Sequence, residues 1–214
     1  MSRLHHHRVK SGIVAVAVAG SASMAIWVPA AHAAVNCVVS AGVTQTATTV
    51  TGTNGNDTIA CGGASPGKTI YGKAGNDTIT GTAFRDTIRG GVGNDTMTGG
   101  PGHDTLTGSR GNDTMTGSEG RDTLIGGRGA DTLTGSQRND RLKGGVGDDT
   151  LSGGVGNDFL GGGAGTDILG GNAGDDILKG PSNDSRVDTL NGGAGSDTCQ
   201  GPGQDGDTLV ACNP

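Results

Sequence analysis

Aspartate recurs along this chain with a spacing that could bring carboxylates together in rows. Twelve aspartates follow one another at intervals of nine residues without a gap: Asp77, Asp86, Asp95, Asp104, Asp113, Asp122, Asp131, Asp140, Asp149, Asp158, Asp167 and Asp176. Carboxylate oxygens bind hard cations such as calcium, which takes about six to eight oxygen ligands. Asp is also common in turns, where its side chain bonds nearby backbone groups. The series is therefore either a set of cation ligands or a set of turn caps.

Glycine-rich turns precede most of these aspartates and could supply further oxygen ligands. The full pattern Gly-Gly-x-Gly-x-Asp occurs in seven places: Gly90–Asp95, Gly99–Asp104, Gly126–Asp131, Gly144–Asp149, Gly153–Asp158, Gly162–Asp167 and Gly192–Asp197. Glycine accepts positive φ angles and close backbone approach. Such a turn can therefore direct several carbonyl oxygens at one point, which favours cation binding over simple turn capping.

A regular series of apolar residues predicts the elements that position these turns. Two residues after each aspartate, or after its equivalent in a related unit, comes a side chain that is never polar. The series is Ile59, Ile70, Ile79, Ile88, Met97, Leu106, Met115, Leu124, Leu133, Leu142, Leu151, Leu160, Leu169, Leu178, Leu190, Cys199 and Leu209. One inward residue between two outward ones is typical of a short β-strand. Each unit is thus predicted to be a turn followed by a strand of about three residues.

The repeat, from Gly52 to about Leu209, resembles the RTX or haemolysin-type calcium-binding nonapeptide, Gly-Gly-x-Gly-x-Asp-x-U-x with U a large apolar residue. The resemblance implies an all-β fold, a right-handed parallel β-roll in which two nonapeptides form one 18-residue coil. It also implies Ca²⁺ as the cofactor, held between stacked turns by backbone carbonyls and by aspartates of neighbouring coils.

Aspartates 18 residues apart would then share a side of the roll, so that the regular run forms two rows of six with at most ten gaps between stacked turns. Stacked carboxylates about one strand spacing, 4.8 Å, apart repel each other, so we expect folding to require cations. The candidate calcium ligands are Asp77, Asp95, Asp104, Asp113, Asp122, Asp131, Asp149, Asp158, Asp167, Asp176, Asp197, Gly90, Gly91, Gly93, Gly144, Gly145, Gly147, Gly153, Gly154 and Gly156.

Several units depart from the pattern. Phe84 and Arg138 replace the fourth-position glycine, so we expect distorted turns before Asp86 and Asp140. Lys68 stands where an aspartate is expected, and the segment before Asp188 reads as an insertion loop. Asp57, Asp86, Asp140, Asp188 and Asp207 are therefore further candidate ligands in irregular turns.

Composition limits the class of protein. Glycine accounts for 45 of 214 residues, whereas hydrophobic residues make up 31% and aromatic residues 2%. A conventional core needs more large apolar side chains, which leaves a disordered chain or a repeat protein with a thin core. The net charge is −6, and the sequence offers no evident basic patch or aromatic platform, so nucleic-acid binding is disfavoured.

The first 33 residues have the features of a secretory signal peptide. A basic start with Arg3, Arg8 and Lys10 leads into a short, broken apolar region, and Ala31-His32-Ala33 is a small-x-small cleavage site. A membrane anchor is the alternative, but the apolar run is short and no later segment could span a bilayer. We therefore expect a secreted protein with four parts: signal peptide 1–33, N-terminal capping segment 34–51, repeat roll 52–209 and C-terminal tail 210–214.

Four cysteines lie in two pairs, one near each end of the predicted mature chain. Even numbers of cysteines in exported proteins indicate disulfides. We predict Cys37–Cys61 and Cys199–Cys212, because the repeats between them would hold the pairs far apart. A zinc site is the alternative, but the spacings are long and no histidine accompanies them.

Three classes of function can be compared. A secreted calcium-binding structural protein fits the repeat. A protein that binds ice, mineral or polysaccharide is the alternative, since outward threonines recur coil by coil, as in Thr96 and Thr98 or Thr114 and Thr116; threonine also simply suits exposed strands. An enzyme is disfavoured, because His103 is the only histidine after the signal segment and no catalytic motif is present.

Overall fold

Two stacked β-sheets make up the part of the chain that the computed structural model describes, residues 37–64, 66–180, 186–200 and 207–212. Every regular element in these ranges is a strand, and none of them contains a helix of the length and apolarity needed to cross a membrane. The predicted signal peptide and residues 213–214 of the predicted tail lie outside the described residues.

Successive repeat units place their strands alternately in the two sheets, each of which has ten strands. Sheet 1 contains β1 (Val38–Val39), β4 (Thr58–Ala60), β6 (Thr78–Thr80), β8 (Thr96–Thr98), β10 (Thr114–Glu119), β12 (Thr132–Gln137), β14 (Thr150–Val155), β16 (Ile168–Ala173), β18 (Thr189–Ala194) and β20 (Thr208–Val210). Sheet 2 contains β2 (Thr44–Gln45), β3 (Thr49–Thr51), β5 (Thr69–Ala74), β7 (Thr87–Val92), β9 (Thr105–Arg110), β11 (Thr123–Arg128), β13 (Arg141–Val146), β15 (Phe159–Ala164), β17 (Ile177–Lys179) and β19 (Thr198–Gln200).

The strand register confirms the 18-residue coil. Neighbouring strands within the repeats are parallel, and Thr114 of β10 lies opposite Thr132 of β12, which lies opposite Thr150 of β14. Most central strands have six residues instead of the predicted three. The reason is that pairing continues into the next turn, where Ser118 lies opposite Ser136.

The inward apolar series forms one buried cluster between the sheets, with one column of side chains on each sheet. Every member from Ile59 to Leu190 is at most 1% exposed, and Val50 of β3 extends the column of sheet 2 by one residue that the repeat pattern did not identify. The prediction was wrong at the C-terminal end, where Leu209 is 50% exposed and Cys199 is only partly buried. Both residues lie in the last strand of their sheet, so a neighbouring strand covers them on one side only.

Both ends of the roll carry a disulfide, as predicted. At the N-terminal end β1 pairs antiparallel with β4, β2 pairs antiparallel with β3, and Cys37 is bonded to Cys61. At the C-terminal end Cys199 is bonded to Cys212. Terminal strands of a sheet expose unpaired backbone groups that invite further pairing, and the covalent links hold the end segments against them.

Gly145 and Gly161 differ in whether the backbone requires glycine at their position. Gly145 has φ +130° and its Cβ would collide with the carbonyl of Gly127, whereas Gly161 has an ordinary φ and a Cβ there would meet only a ring atom of Phe159, 3.9 Å away. We expect Gly145→Ala to cost about 1–2 kcal/mol for the left-handed backbone alone, plus the clash. Gly161→Ala should be neutral or slightly stabilising. Urea unfolding of both variants in saturating calcium checks this, and equal midpoints would contradict it.

The outward faces of the two sheets differ. Thr78, Thr96, Thr114, Thr132 and Thr150 lie opposite one another across sheet 1, and a second column continues beside them from Thr80 to Ser152. The outward face of sheet 2 is interrupted by charged and large side chains, as the sequence indicates. They are Arg89, Ile125, Arg141, Lys143 and Phe159.

Candidate metal centre

The repeat aspartates form two straight rows at the turns, with partners 18 residues apart in the regular run. The backbone N–H of each aspartate donates to Oδ1 of the next one in its row, at 2.7–2.9 Å; Asp113 bonds Asp131 and Asp131 bonds Asp149 in this way. The first row is Asp57, Asp77, Asp95, Asp113, Asp131, Asp149, Asp167, Asp188 and Asp207. The second row is Asp86, Asp104, Asp122, Asp140, Asp158, Asp176 and Asp197.

The second carboxylate oxygen, Oδ2, is buried at most positions and accepts no hydrogen bond from the described residues. This holds for Asp77, Asp95, Asp104, Asp113, Asp122, Asp131, Asp140, Asp149, Asp158, Asp176, Asp197 and Asp207. A buried polar atom without a partner is costly, and a charged one is far more costly. Repetition of the same uncompensated oxygen, coil after coil, indicates a ligand common to all these turns.

Carbonyl oxygens lie close to these carboxylates at the first glycine of each turn. A Cβ on Gly126 would collide with Oδ2 of Asp131 and would lie 2.6 Å from the carbonyl oxygen of Gly144, in the next turn of the row. Gly72 stands in the same relation to Asp77 and Gly90. Only glycine leaves this space open. The space is lined by a carboxylate oxygen and a carbonyl oxygen from two successive turns.

The donor set therefore consists of oxygen. Within the described residues, no group of three His, Cys, Asp or Glu side chains is arranged to hold a metal ion by itself, so backbone carbonyls would have to supply most of the ligands beside the carboxylates. Hard cations such as Ca²⁺ take carboxylate and carbonyl oxygens, whereas copper and zinc favour nitrogen and sulfur. The residues present thus fit calcium.

Burial perturbs the acidity of both rows. Desolvation raises the pKa of Asp104, Asp113, Asp140 and Asp149 to about 7, although the hydrogen bond from the preceding aspartate opposes the shift and neighbouring carboxylates add to it. Burial likewise raises the pKa of Asp95 and Asp158 to about 6. A folded-state pKa above the ordinary value of about 3.9 means that ionisation opposes folding. Without a cation, the roll should lose stability as pH rises from about 4 through 7.

Two turns satisfy their aspartate without a ligand. Oδ2 of Asp86 accepts a hydrogen bond from the backbone N–H of Thr82 at 2.6 Å and another from the Thr82 hydroxyl at 2.9 Å. Thr53 caps Asp57 in the same manner, at 2.6 and 3.0 Å. Threonine occupies the second turn position in both units, and neither residue has the positive φ found at that position elsewhere. These two carboxylates are compensated turn caps.

The Arg138 turn is not distorted in the expected way. Ser136 and Arg138 adopt φ values of 95° and 72°, so the turn keeps the left-handed positions of its glycine-rich neighbours. Asp140 also keeps the buried Oδ2 and the hydrogen bond to the N–H of Asp122. The prediction of distortion was therefore wrong for this turn. The Phe84 turn does differ from the glycine-rich turns, because neither Thr82 nor Phe84 adopts a positive φ.

Lys68 stands at the head of the second row in the position of an aspartate. Its backbone N–H donates to Oδ1 of Asp86 and its buried ammonium donates to the carbonyl of Ala47. Burial lowers the pKa of the ammonium, and the Asp86 carboxylate opposes that shift. The second row thus begins with the ammonium group of a lysine, beside an aspartate that threonine already caps.

The rows continue through the irregular C-terminal units. Asp167 donates its N–H to Asp188, 21 residues on, and Asp188 donates to Asp207. Asp176 likewise donates its N–H to Oδ1 of Asp197, 21 residues on. Extra residues between units therefore leave the rows aligned. Residues 181–185 of the predicted insertion loop lie outside the described residues.

A second, exposed ladder runs beside each row and was not identified from the sequence. The side-chain oxygen of Asn76 accepts the N–H of Asn94, and Asn94 accepts the N–H of Asn112, both at 2.8 Å. His103 plays the same part through Nδ1, which accepts the N–H of Arg121. The frequent Asn at the fifth turn position is the signal that could have revealed it.

The comparison with protein families agrees with this geometry. The family model of the RTX calcium-binding nonapeptide repeat (4 copies) matches residues 44–63, 71–106, 98–133, 134–169, 161–180 and 183–201. No curated protein matches the chain significantly. The matched segments cover most of the described residues, including the greater part of both aspartate rows. The chain therefore belongs to the RTX calcium-binding nonapeptide repeat family.

Proposed function

We propose that this chain is a secreted, structural calcium-binding protein whose β-roll folds when several Ca²⁺ ions bind between stacked turns. The observation that carries the proposal is the repeated buried Oδ2 without a hydrogen-bond partner among the described residues. Calcium supplies the positive charge that compensates these oxygens. Repeats of this family along most of the described residues favour a structural over a catalytic role.

The proposed ligands follow the two rows. Carboxylates of Asp77, Asp95, Asp104, Asp113, Asp122, Asp131, Asp149, Asp158, Asp167, Asp176 and Asp197 would bind the ions, with Asp140, Asp188 and Asp207 added by their placement in the rows. The glycine turns, represented by Gly90, Gly91, Gly93, Gly144, Gly145, Gly147, Gly153, Gly154 and Gly156, would supply carbonyls. Asp57 and Asp86 would contribute least, because threonine already caps them.

Secretion is part of the proposal. Two disulfides are typical of an oxidising compartment, and residues 1–33 have the pattern of a cleaved signal peptide. N-terminal sequencing of the exported protein should begin near Ala34.

Direct ion counting tests the proposed sites. Native mass spectrometry of the mature chain, titrated with calcium and then with magnesium, should show several bound Ca²⁺ ions, no more than about ten in the regular run. Magnesium should bind poorly, because it demands octahedral geometry and retains its water. A chain that binds no calcium, or binds both ions alike, would contradict the proposal.

The threonine columns of sheet 1 support a second candidate, a protein that binds ice, mineral or a neutral polysaccharide surface. Their strict register makes a flat array of hydroxyl and methyl groups at one strand spacing. Thermal hysteresis of the calcium-loaded protein tests ice binding, and a polysaccharide pull-down tests polysaccharide binding, each in comparison with a Thr114→Lys variant.

A further inference from the structure

Charge is divided unequally between the two sheets. The strands of sheet 2 contain seven Lys or Arg residues and no Asp or Glu, whereas the described strands of sheet 1 contain no Lys or Arg and a single acid, Glu119. All seven cations are exposed. We call them the basic face: Lys73, Arg89, Arg110, Arg128, Arg141, Lys143 and Lys179. In a chain with a net charge of −6, such a one-signed face is a distinct surface feature.

Parallel register places five of these cations in two columns along the roll, one with Arg110 and Arg128 and one with Arg89, Lys143 and Lys179. Arg110 lies directly opposite Arg128 on the neighbouring strand. Lys143 and Lys179 lie on either side of Gly161, one strand away from it in each direction. Adjacent strands are about 4.8 Å apart, so the two lysines start from backbone positions about two strand spacings apart, with the Phe159 ring beside the glycine between them.

Two shallow grooves are lined by cations of the basic face. A groove of about 500 Å³ is lined by Arg110, Arg128, Lys143 and the apolar Ile125 and Val146. A second groove, of about 270 Å³, is lined by Arg141, Lys143, Phe159 and Lys179. Lys143 lines both grooves, and neither lining includes an Asp or Glu.

The Phe159 ring contacts two cations of the basic face. The guanidinium carbon of Arg141 lies 4.4 Å from the centre of the phenyl ring, and Nζ of Lys179 lies 5.3 Å from it. Cation–π contacts of this kind restrict the side chains without neutralising them. The ring is therefore engaged by two cations, which leaves it a poor platform for stacking nucleic-acid bases.

We propose that the basic face binds a linear anionic polysaccharide through its sulfate or carboxylate groups. An exposed array of repeated cations suits a long polymer of repeated anions by charge complementarity. The exposed large apolar side chains of sheet 2, Tyr71, Val92, Val146 and Ile177, each lie on a different strand among the cations, which favours a polymer of anions over stacked bases or a membrane. The disulfides fit the oxidising environment outside cells, where such polysaccharides are found.

Dextran sulfate and neutral dextran form a matched pair of probes for the calcium-loaded full-length mature chain. We expect binding to dextran sulfate by calorimetry, no binding to dextran, and a marked loss of affinity at high ionic strength. Equal binding to both dextrans would overturn the proposal. Tighter binding to single-stranded DNA or to phosphatidylserine vesicles would also overturn it, since it would assign the face to another class of partner.

Charge-matched variants locate the binding surface. Arg141→Gln with Lys143→Gln should weaken dextran sulfate binding at least about tenfold, because both grooves lose cations. Arg85→Gln with Arg121→Gln removes the same charge from exposed turn positions and should change the affinity less than about twofold. Circular dichroism confirms that each variant folds in calcium. Equal loss in the two double variants would show that only net charge matters and would overturn the assignment.

Discussion

Withdrawal of calcium should convert the β-roll into a largely unfolded chain at pH 8. Both rows then hold ionised, buried carboxylates one strand spacing apart, and several of them lack any hydrogen-bond partner for Oδ2 among the described residues. The penalty is several kcal/mol for each uncompensated buried ion, more than a thin apolar cluster can offset. Far-UV circular dichroism should show random coil in excess chelator and β structure in millimolar calcium, with a steep transition because each coil supports the next.

Acidification provides the control for this experiment. Since burial raises the pKa of residues such as Asp113 and Asp149 to about 7, protons can neutralise the rows at low pH. In chelator, β content should therefore be higher at pH 5 than at pH 8, because protons then neutralise the buried carboxylates of the folded roll. Full β structure in chelator at pH 8 would mean that the aspartates are turn caps throughout.

Asp131→Ala should raise the calcium midpoint for folding by about two- to threefold, because a loss of several kcal/mol of binding free energy is shared among the several ions that bind in one folding transition. Asp131 lies in the middle of the first row, between Asp113 and Asp149, with Oδ2 buried and without a partner in the described structure. Asp86→Ala is the matched variant. Thr82 already caps that carboxylate, so its loss should leave the number of bound ions unchanged and should raise the midpoint less than Asp131→Ala does.

Leu133→Ala separates ligand loss from general destabilisation. Leu133 is fully buried, and truncating such a side chain costs about 2–5 kcal/mol. The number of bound ions in saturating calcium should remain that of the wild type, whereas Asp131→Ala should bind fewer. Unchanged stoichiometry and midpoint in Asp131→Ala would contradict shared ligation along the row.

Features that repeat in every unit could be predicted from the sequence. The inward apolar series and the 18-residue partners within each row depend on a residue type at a fixed interval, and the two cysteine pairs follow from the length of repeats that separates them. Even Lys68, an exception to the pattern, occupies the predicted place in its row. Repetition makes such predictions robust, because each coil constrains its neighbours to the same register.

The local chemistry of individual turns was harder to predict. Arg138 can adopt the left-handed backbone of the glycine it replaces, at an energetic cost that the neighbouring coils impose. Thr82 can cap Asp86, because the turn gives up the positive φ at its second position. Both outcomes depend on φ and on the contacts of adjacent coils, which composition alone does not reveal.

The repeat pattern also did not predict the exposure of residues in the terminal strands or the clustering of cations on one sheet. Leu209 matches the apolar series but lies in the terminal strand of its sheet. The cations of the basic face are scattered from Lys73 to Lys179, and the sequence suggested no basic patch. They come together because strands of alternate units share a sheet, so the face is visible only after the units have been assigned to their sides.

The assignment of alternate units to opposite sheets also governs how such a gene can change length. Loss or duplication of eighteen residues removes or adds one coil and returns every later unit to its own side. A change of nine residues would send every later unit to the opposite side, so that Arg141 and Lys143 would continue the threonine columns and break both surfaces in two. Recombination among these similar segments therefore preserves both faces only when it adds or removes an even number of nonapeptides. An odd number would mix the threonine columns and the basic face on each sheet.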